Sequence, residues 1–372
     1  SAVVIESGPK SFRHTVTRPM MMTTTRASTT RIATRRATTT SRRTRSTRRS
    51  TRARANDDDD DDIVIEAEVM PTSSDSQSES SSTTTTYELR RRTEPKRFAV
   101  AEGQLFNVAT ASAPIALRLT SGVTCHGYRA RIVRDETEAE AKTYAVFSGN
   151  GRRVEETSDV GKFPRPTKML KIYNLHGCPF CKKVREAVID LDLDATYYPC
   201  PRNGPEYRPL VREDGGKAQF PYLVDENTEP VTKMYESDAI VEYLYEKYGP
   251  GKANIGPALA SGALTNATAG LSLLPRLGKG STYSPSKKPE NMKPLVFWGY
   301  EGSPFCTIVA EKLCELELPY VQKSVGRGSP KRQELYDKHG MFQVPYLEDP
   351  NSMVALFESK DIVEYLEETY GA

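Results

Sequence analysis

One pattern of apolar and polar positions occurs twice in the C-terminal half of the chain. We call the two occurrences copy one, residues 167–249, and copy two, residues 293–372. In each copy an apolar run of strand length leads into a tetrapeptide whose proline suits the first turn of a helix. The runs are Met169 to Leu175 and Leu295 to Tyr300, and the tetrapeptides are Cys178-Pro179-Phe180-Cys181 and Ser303-Pro304-Phe305-Cys306.

Apolar residues then recur at i, i+4 and i+7, which is the spacing of a helix with one buried face. A second strand, a polar helix, two short strands and a final amphipathic helix follow in both copies. The order βαβαββα predicts an α/β fold for each copy, with a mixed four-stranded sheet covered by helices. The apolar faces comprise Val184, Val188 and Leu191 in copy one and Val309, Leu313 and Leu316 in copy two.

Charge divides the chain into a basic leader and an acidic body. Residues 1–55 hold 14 basic side chains and one acidic side chain, whereas the other 317 residues hold 38 basic and 48 acidic ones. The acidic body disfavours a nucleic-acid partner. After Met20 the leader is rich in Arg, Thr and Ser and has no acid until Asp57, which is the composition of an organelle transit peptide. A disordered basic arm and a nuclear address are the alternatives.

Three segments outside the copies are predicted to be linkers or additions. Residues 56–95 contain six consecutive aspartates and a Ser/Thr-rich stretch, which predicts a flexible, disordered spacer. Residues 96–166 form an N-terminal extension without an assigned role, and its apolar positions between Gln104 and Leu119 predict two short helices packed on copy one. Residues 250–292 form a linker. Its uncharged part, Ile255 to Pro275, predicts a weak helix packed between the copies, with a membrane-surface contact as the alternative.

The candidate chemistry lies at the tetrapeptide of copy one. Cys178 follows a predicted strand and begins a predicted helix, where the helix dipole and free N–H groups stabilise thiolate over thiol. Cys181, one turn later, is placed to attack a mixed disulfide on Cys178 and release the product. The same spacing also serves as a zinc half-site, but the other cysteines and histidines form no second pair at zinc-finger spacing, so no metal is expected.

The sequence resembles the glutaredoxin and glutathione S-transferase N-terminal branch of the thioredoxin superfamily. The Cys-Pro-Phe-Cys motif, a later Phe-Pro and a Glu-Ser pair carry this resemblance. It implies a thioredoxin-like fold, a cis proline, and glutathione bound by the residue before that proline and by the Glu-Ser pair. A mere helix cap is the alternative for the pair. The implied glutathione contacts are Phe220, Pro221, Glu236 and Ser237 in copy one and Val344, Pro345, Glu358 and Ser359 in copy two.

From about Lys96 onward the chain is similar to plastid-targeted plant and algal proteins with tandem domains of this kind. The phrases that carry the similarity run from Tyr197 to Pro201, from Arg327 to Arg332 and from Gln343 to Pro350. The resemblance implies a chloroplast protein, in the stroma or associated with the thylakoid surface.

Copy two departs from the pattern because Ser303 replaces the first cysteine. Ser303 either stabilises the thiolate of a bound glutathione or caps its helix. Cys306 and Cys314 lie on the same predicted helix and are expected to be packed or inert. The large helical domain of a full glutathione transferase is not recognisable between the copies or after them, which disfavours conjugation of bulky electrophiles.

The leading hypothesis is a glutathione-linked thiol-disulfide oxidoreductase with Cys178 as nucleophile and Cys181 as resolving thiol. Its partners would be glutathione, as co-substrate, and disulfide-containing or glutathionylated plastid proteins. One alternative is a non-catalytic tandem module that docks on a plastid complex. A transferase-like activity or an iron–sulfur cluster held by Cys178 and glutathione are further alternatives. No transmembrane segment is expected, because no segment reaches about 18 consecutive strongly apolar residues.

Overall fold

A computed structural model describes residues 64–69, 85–91, 93–96, 100–118, 121–134, 137, 143–260 and 262–372. All of them belong to the compact unit Asp60–Ala372. The predictions for the leader and for the run of six aspartates lie outside the described residues. No helix among the described residues is long and apolar enough to cross a bilayer.

Short elements precede copy one. They are strands β1 (Val64–Val69) and β2 (Thr85–Arg91), helices α1 (Leu105–Ala111) and α2 (Ala113–Arg118), and strands β3 (Arg129–Arg134), β4 (Ser148–Gly149) and β5 (Arg152–Thr157). The spacer predicted for residues 56–95 is thus interrupted by β1 and β2. These two strands pair with each other, and β2 also pairs with the last strand of copy two. That strand would otherwise be a free edge, and an unpaired edge accepts a neighbouring strand.

Copy one has the predicted order of elements. It comprises β6 (Leu170–Asn174), α3 (Pro179–Asp190), β7 (Ala195–Pro199), α4 (Tyr207–Gly215), β8 (Tyr222–Asp225), β9 (Thr232–Met234) and α5 (Ser237–Tyr248). The linker contributes α6 (Pro257–Ala260) and α7 (Gly262–Leu273). Copy two repeats the order with β10 (Leu295–Gly299), α8 (Pro304–Glu315), β11 (Tyr320–Ser324), α9 (Lys331–His339), β12 (Tyr346–Asp349), β13 (Val354–Phe357) and α10 (Ser359–Tyr370).

The two copies share one ten-stranded sheet in the order β1-β2-β13-β12-β10-β11-β7-β6-β8-β9. They meet where β7 pairs with β11 in antiparallel register, with Tyr197 opposite Tyr320. Because these are equivalent strands, antiparallel pairing relates the copies by an approximate two-fold axis. One hydrophobic cluster spans both copies and contains the apolar faces predicted for α3 and α8. A separate three-stranded sheet has the order β3-β5-β4.

The segments that precede the two copies form a second internal repeat, which the sequence analysis missed. Residues 107–128 correspond to residues 265–286, and Arg118, Gly122 and Thr124 each recur 158 positions later, at Arg276, Gly280 and Thr282. Helix α7 packs on α3 of copy one, whereas α1 packs on α8 of copy two. The two helices predicted before copy one are therefore confirmed. The prediction that both pack on copy one is wrong for α1, because its residues Val108 and Ala111 contact Ile308.

Two buried arginines hold this exchanged arrangement. Arg118 forms a fork on Glu186 of α3, at 3.1 and 2.5 Å, and its Nη1 donates to the Thr265 carbonyl and to the Thr268 hydroxyl of α7. Arg276 forms the equivalent fork on Glu311 of α8, and its Nη1 donates to the Asn107 carbonyl and to the Thr110 hydroxyl of α1. Arg118 thus joins α3 of copy one to α7, which precedes copy two. Arg276 joins α8 of copy two to α1, which precedes copy one.

We expect Arg118→Ala and Arg276→Ala to lower the free energy of unfolding by about 3–5 kcal/mol each, because each removes the charged two-hydrogen-bond fork from a buried carboxylate. Chemical denaturation would measure the loss. Arg131→Ala is the matched control, since Arg131 pairs with Glu155 while 69% of its side chain is exposed, and it should cost at most about 1 kcal/mol. Equal losses in all three variants would contradict this account.

We also expect a pH-dependent contribution from His126. Its Nδ1 lies 3.1 Å from Asp190 Oδ2, and this hydrogen bond raises the pKa of His126 above its ordinary value. Asp159, Tyr245 and Phe163 are its other neighbours. A raised folded-state pKa stabilises the protein below about pH 6.5, and the stabilisation is lost as the pH rises through the folded-state pKa. His126→Gln should therefore lose more stability at pH 5.5 than at pH 9 in urea titrations. An equal loss at both pH values would refute the linkage.

Candidate functional site

Cys178 lies at the junction predicted for it. Strand β6 ends at Asn174, and Cys178 is the N-cap of α3, with extended backbone angles and Pro179 at the first helical position. Its Sγ accepts a hydrogen bond of 3.4 Å from the backbone N–H of Cys181. Gly177 precedes it where the linker crosses the turn, and a Cβ there would lie 2.0 Å from Ser281 Oγ. A larger residue at this position would therefore force the Ser281 side chain to move.

The two thiols of copy one have opposite pKa shifts. A hydrogen bond from the Cys181 thiol is the largest cause that lowers the pKa of Cys178, to about 6, and backbone N–H groups and the charge of Arg185 act in the same direction against the effect of burial. Burial raises the pKa of Cys181, as does its hydrogen bond to Cys178. At neutral pH Cys178 is therefore mainly a thiolate, and Cys181 holds a proton. Cys178 is half-buried and the other five cysteines are buried.

The proline loop lies beside these thiols. The peptide bonds Phe220-Pro221 and Val344-Pro345 are both cis, as the resemblance implied. Phe220 packs on the cluster of Leu175, Cys181 and Cys314 that Cys178 also contacts. The Arg208 guanidinium lies 4.8 Å from the centre of the Phe220 ring.

The Glu-Ser pair lies at the start of the last helix in both copies. Ser237 begins α5 and Ser359 begins α10, and both are buried. The preceding Glu236 and Glu358 have φ of +69° and +68°, a region that side chains other than glycine rarely adopt, so the same strained turn occurs twice. Glu236 Oε1 accepts a 2.7 Å hydrogen bond from Gln219, the residue before Phe220. The structure thus connects the Glu-Ser pair with the proline loop. A glutathione-binding role for the eight residues named above stays a prediction.

In copy two the residue at the nucleophile position is a helix cap. Ser303 is buried, and its Oγ accepts a hydrogen bond from the Cys306 N–H at 3.3 Å. Burial raises the pKa of Cys306 to about 11 and that of Cys314 to about 12. The prediction that these two cysteines are packed is confirmed, and their raised pKa values make them poor nucleophiles.

Two other segments of the chain cover the cleft of copy two. On one side, Glu156 of β5 accepts hydrogen bonds from Arg327 at 2.7 Å and from Arg332 at 3.4 Å, and the Tyr144 hydroxyl lies between Glu156 and Arg332. Arg332 also stacks 4.4 Å from the centre of the Phe342 ring. Burial alone would raise the pKa of Glu156, but hydrogen bonds from Tyr128 and the charge of Arg332 hold it below its ordinary value.

On the other side, the segment after β2 follows β13 to the Glu-Ser turn. The Thr93 hydroxyl bonds both the carbonyl and the N–H of Phe357, at 3.0 and 2.6 Å. The Lys96 N–H then donates to Glu358 Oε1 at 3.3 Å. Glu358 was predicted to contact glutathione, and here it contacts the protein's own backbone.

The equivalent cleft of copy one is open within the described residues. Arg202 and Arg208 occupy the places of Arg327 and Arg332, and no acidic side chain in the described ranges pairs with either of them. Arg202 is exposed, and Arg208 is half-buried and donates to the Cys200 carbonyl at 3.3 Å. The two copies thus differ both in the nucleophile and in access to the cleft.

Three basic residues, Lys182, Lys183 and Arg185, closely follow Cys178 in the sequence, and each is paired with a carboxylate. Lys182 and Arg185 contact Glu301 of copy two, and Lys183 pairs with Asp238. Sequence reasoning missed Glu301 and Arg208 as parts of the site. Alignment of the two copies is the signal that could have found them. It places Glu301 opposite His176 and Arg208 opposite Arg332. Among the described residues, no group of three or more metal-ligating side chains is assembled.

Comparison with known proteins supports this description of the two copies. Residues 172–253 and 297–372 each match the family model described as the glutathione S-transferase N-terminal domain. No curated protein matches the sequence at a significant level. A solved structure, the trimeric glutathione transferase TDR1 of Leishmania, aligns at 15% identity over 55% of this chain and 69% of its own, with a TM-score of 0.21. That TM-score is too low for its arrangement to guide this one. The chain contains two tandem thioredoxin-like domains of the glutathione S-transferase N-terminal type.

Proposed function

We propose that copy one binds glutathione and works as a glutathione-linked thiol-disulfide oxidoreductase. The observation that carries this proposal is the pair of thiols at the start of α3. Cys178 has a lowered pKa and is half-buried, whereas Cys181 has a raised pKa and is fully buried. This division suits a nucleophile and a resolving thiol, because the first must react as a thiolate and the second must wait as a thiol.

The proposed reaction balances with glutathione as the reductant. The Cys178 thiolate attacks the glutathionyl sulfur of a glutathionylated protein, and the protein thiolate leaves and takes up a proton. A second glutathione then attacks the mixed disulfide on Cys178, which yields oxidised glutathione and restores the thiolate. For a protein disulfide, Cys181 resolves the mixed disulfide instead. Two glutathione molecules then reduce the resulting Cys178–Cys181 disulfide.

The manner in which copy two is covered supports glutathione as the ligand of copy one. There a backbone N–H contacts Glu358, and a carboxylate contacts Arg332. In copy one the equivalent Glu236 is exposed and Arg208 is half-buried, and Phe220 contacts both Arg208 and the cluster on which Cys178 packs. A small peptide with an amino group, a carboxylate and a central thiol matches this arrangement, and the N-terminus of α5 offers N–H groups to a second carboxylate.

The proposed location and clients come from the leader and the resemblance. An Arg-, Thr- and Ser-rich leader supports import into a chloroplast, where disulfide-containing or glutathionylated proteins would be the substrates. A fusion of residues 1–95 to a fluorescent protein would test the location.

The alternative of a binding module applies to copy two. Ser303 caps its helix, and the protein's own Lys96 and Glu156 contact Glu358 and Arg332, so copy two would contribute structure rather than redox chemistry. Co-purification with a plastid complex that is independent of Cys178 would favour this role for the whole protein.

We expect Cys178→Ser to abolish reduction of a glutathionylated peptide by glutathione, with a loss of at least about 100-fold, because no other thiol combines exposure with a lowered pKa. Cys181→Ser should keep this reaction and lose reduction of protein disulfides. A coupled assay of oxidised glutathione measures both reactions. Cys125→Ala, a buried cysteine, is the control and should keep both. Turnover by Cys178→Ser at the normal rate would refute the proposal.

We expect one glutathione site per chain. Isothermal titration with S-methylglutathione, which cannot undergo thiol exchange, should give a stoichiometry of one. Glu236→Ala should weaken binding at least about 5-fold through loss of a charged contact. The matched variant Glu358→Ala should leave the affinity unchanged, because Lys96 already covers that residue. A stoichiometry of two, or equal effects of the two variants, would contradict the assignment to copy one.

A further inference from the structure

Glu301 belongs to copy two, but its carboxylate contacts copy one. It lies in the turn between β10 and α8, two residues before Ser303, at the position that His176 occupies in copy one. Its Oε1 accepts hydrogen bonds from Lys182 at 2.7 Å and from Arg185 at 3.0 Å, and its Oε2 accepts one from Arg185 at 2.9 Å. The side chain is 9% exposed.

Arg185 connects Glu301 to the turn that carries the nucleophile. This guanidinium is buried and donates to the His176 carbonyl at 3.0 Å, and more weakly to the Asn174 side chain and to the Leu175 carbonyl. These three residues lead from β6 to Cys178. Because Glu301 holds Arg185 by two hydrogen bonds, the position of the turn in copy one depends on a residue of copy two.

Glu301 also sets the local charge behind Cys178. Burial opposes its ionisation, but the charges of Arg185 and Lys182 outweigh this effect and hold the pKa of Glu301 well below its ordinary value. It is therefore an anion at neutral pH, and the three groups together carry one positive charge rather than two. The other charges near α3 are already paired, in Lys183 with Asp238, Arg118 with Glu186, and Arg276 with Glu311.

We propose that Glu301 is a positioning residue for the redox site of copy one, which fixes the turn before Cys178 through Arg185 and moderates the positive charge behind the thiolate. This inference rests on the proposed function of Cys178. It gives copy two a part in that function although Ser303 has replaced its own nucleophile. A purely structural ion pair is the competing explanation, and the sign of the change in the Cys178 pKa separates the two.

Glu301→Gln keeps the shape and one acceptor oxygen of the side chain and removes its charge. We expect the pKa of Cys178 to fall by about half a unit or more, because one anion fewer then opposes the positive charges of Lys182 and Arg185. The remaining acceptor oxygen can still hold Arg185 and with it the turn, so the change of charge should decide the result. A merely structural ion pair would leave this pKa unchanged. The pH dependence of iodoacetamide alkylation at Cys178, followed by mass spectrometry, measures the pKa without glutathione or turnover.

Two further variants keep the test decisive. Glu348→Gln removes a buried carboxylate paired with Lys338 elsewhere in copy two, and it should leave the Cys178 pKa unchanged. Lys182→Met with Glu301→Gln restores the net charge of the three groups and should return the pKa close to the wild-type value, which also covers the case in which Glu301→Gln alone does not fold. An unchanged or raised pKa in folded Glu301→Gln, or no return in the double variant, would overturn the proposal. If the wild-type protein showed no glutathione-dependent turnover, the oxidoreductase function would be refuted. The alkylation measurement of the Cys178 pKa would still be valid, because it needs neither glutathione nor turnover.

Discussion

The antiparallel pairing of β7 with β11 is the contact on which the rest of the structure depends. It joins two four-stranded sheets into one and covers an edge strand of each copy that would otherwise be open to other chains. The rings of Tyr197 and Tyr320 stack across it at 5.4 Å. Because the paired strands are equivalent, a contact that one copy makes with the other can recur in the opposite direction. Arg118 and Arg276, with their matched carboxylates and threonines, are the clearest example.

This two-fold arrangement supports two halves with different roles. Copy one has a half-buried cysteine at the start of its first helix, whereas copy two has a buried capping serine there, and Glu156 and Lys96 contact its Arg332 and Glu358. The difference extends to the turn before each tetrapeptide, where His176 and Glu301 occupy equivalent positions. Symmetry brings those two turns to the common interface, so a change in one copy acts directly on the other. The two copies of a duplicated fold can thus differ in their site residues and keep the contacts that hold them together.

The sequence was sufficient for the features that depend on local pattern. The spacing of apolar residues predicted the helices and strands of both copies, because a buried face imposes its period on the chain. The position of Cys178 at a helix N-terminus followed from the proline after it. The cis prolines were implied by the resemblance and are present.

Features that depend on distant partners were not predictable in this way. The sequence does not reveal that Lys182 and Arg185 are paired, because their partner Glu301 lies more than 100 residues later. The repeat around Arg118 and Arg276 rests on a few scattered identities without a strong apolar period, so its pattern is weak in the sequence. Strand β2 pairs with β13, which would otherwise be an edge strand of the sheet. Because the sequence of β2 is polar, its pattern does not predict this pairing.

Helix α1 precedes copy one but packs on copy two, and α7 precedes copy two but packs on copy one. This arrangement affects the order in which the protein can fold during synthesis. Helix α3 leaves the ribosome well before α7, which covers it, and α1 leaves well before α8, on which it packs. The hydrogen bond from Arg118 to Thr268 cannot form until Thr268, 150 residues later, has been synthesised. Copy one is therefore unfinished until the linker has been made, and α1 is unfinished until copy two has been made. A nascent or truncated chain would expose bare helix faces to chaperones and proteases, so the two halves reach their stable form together.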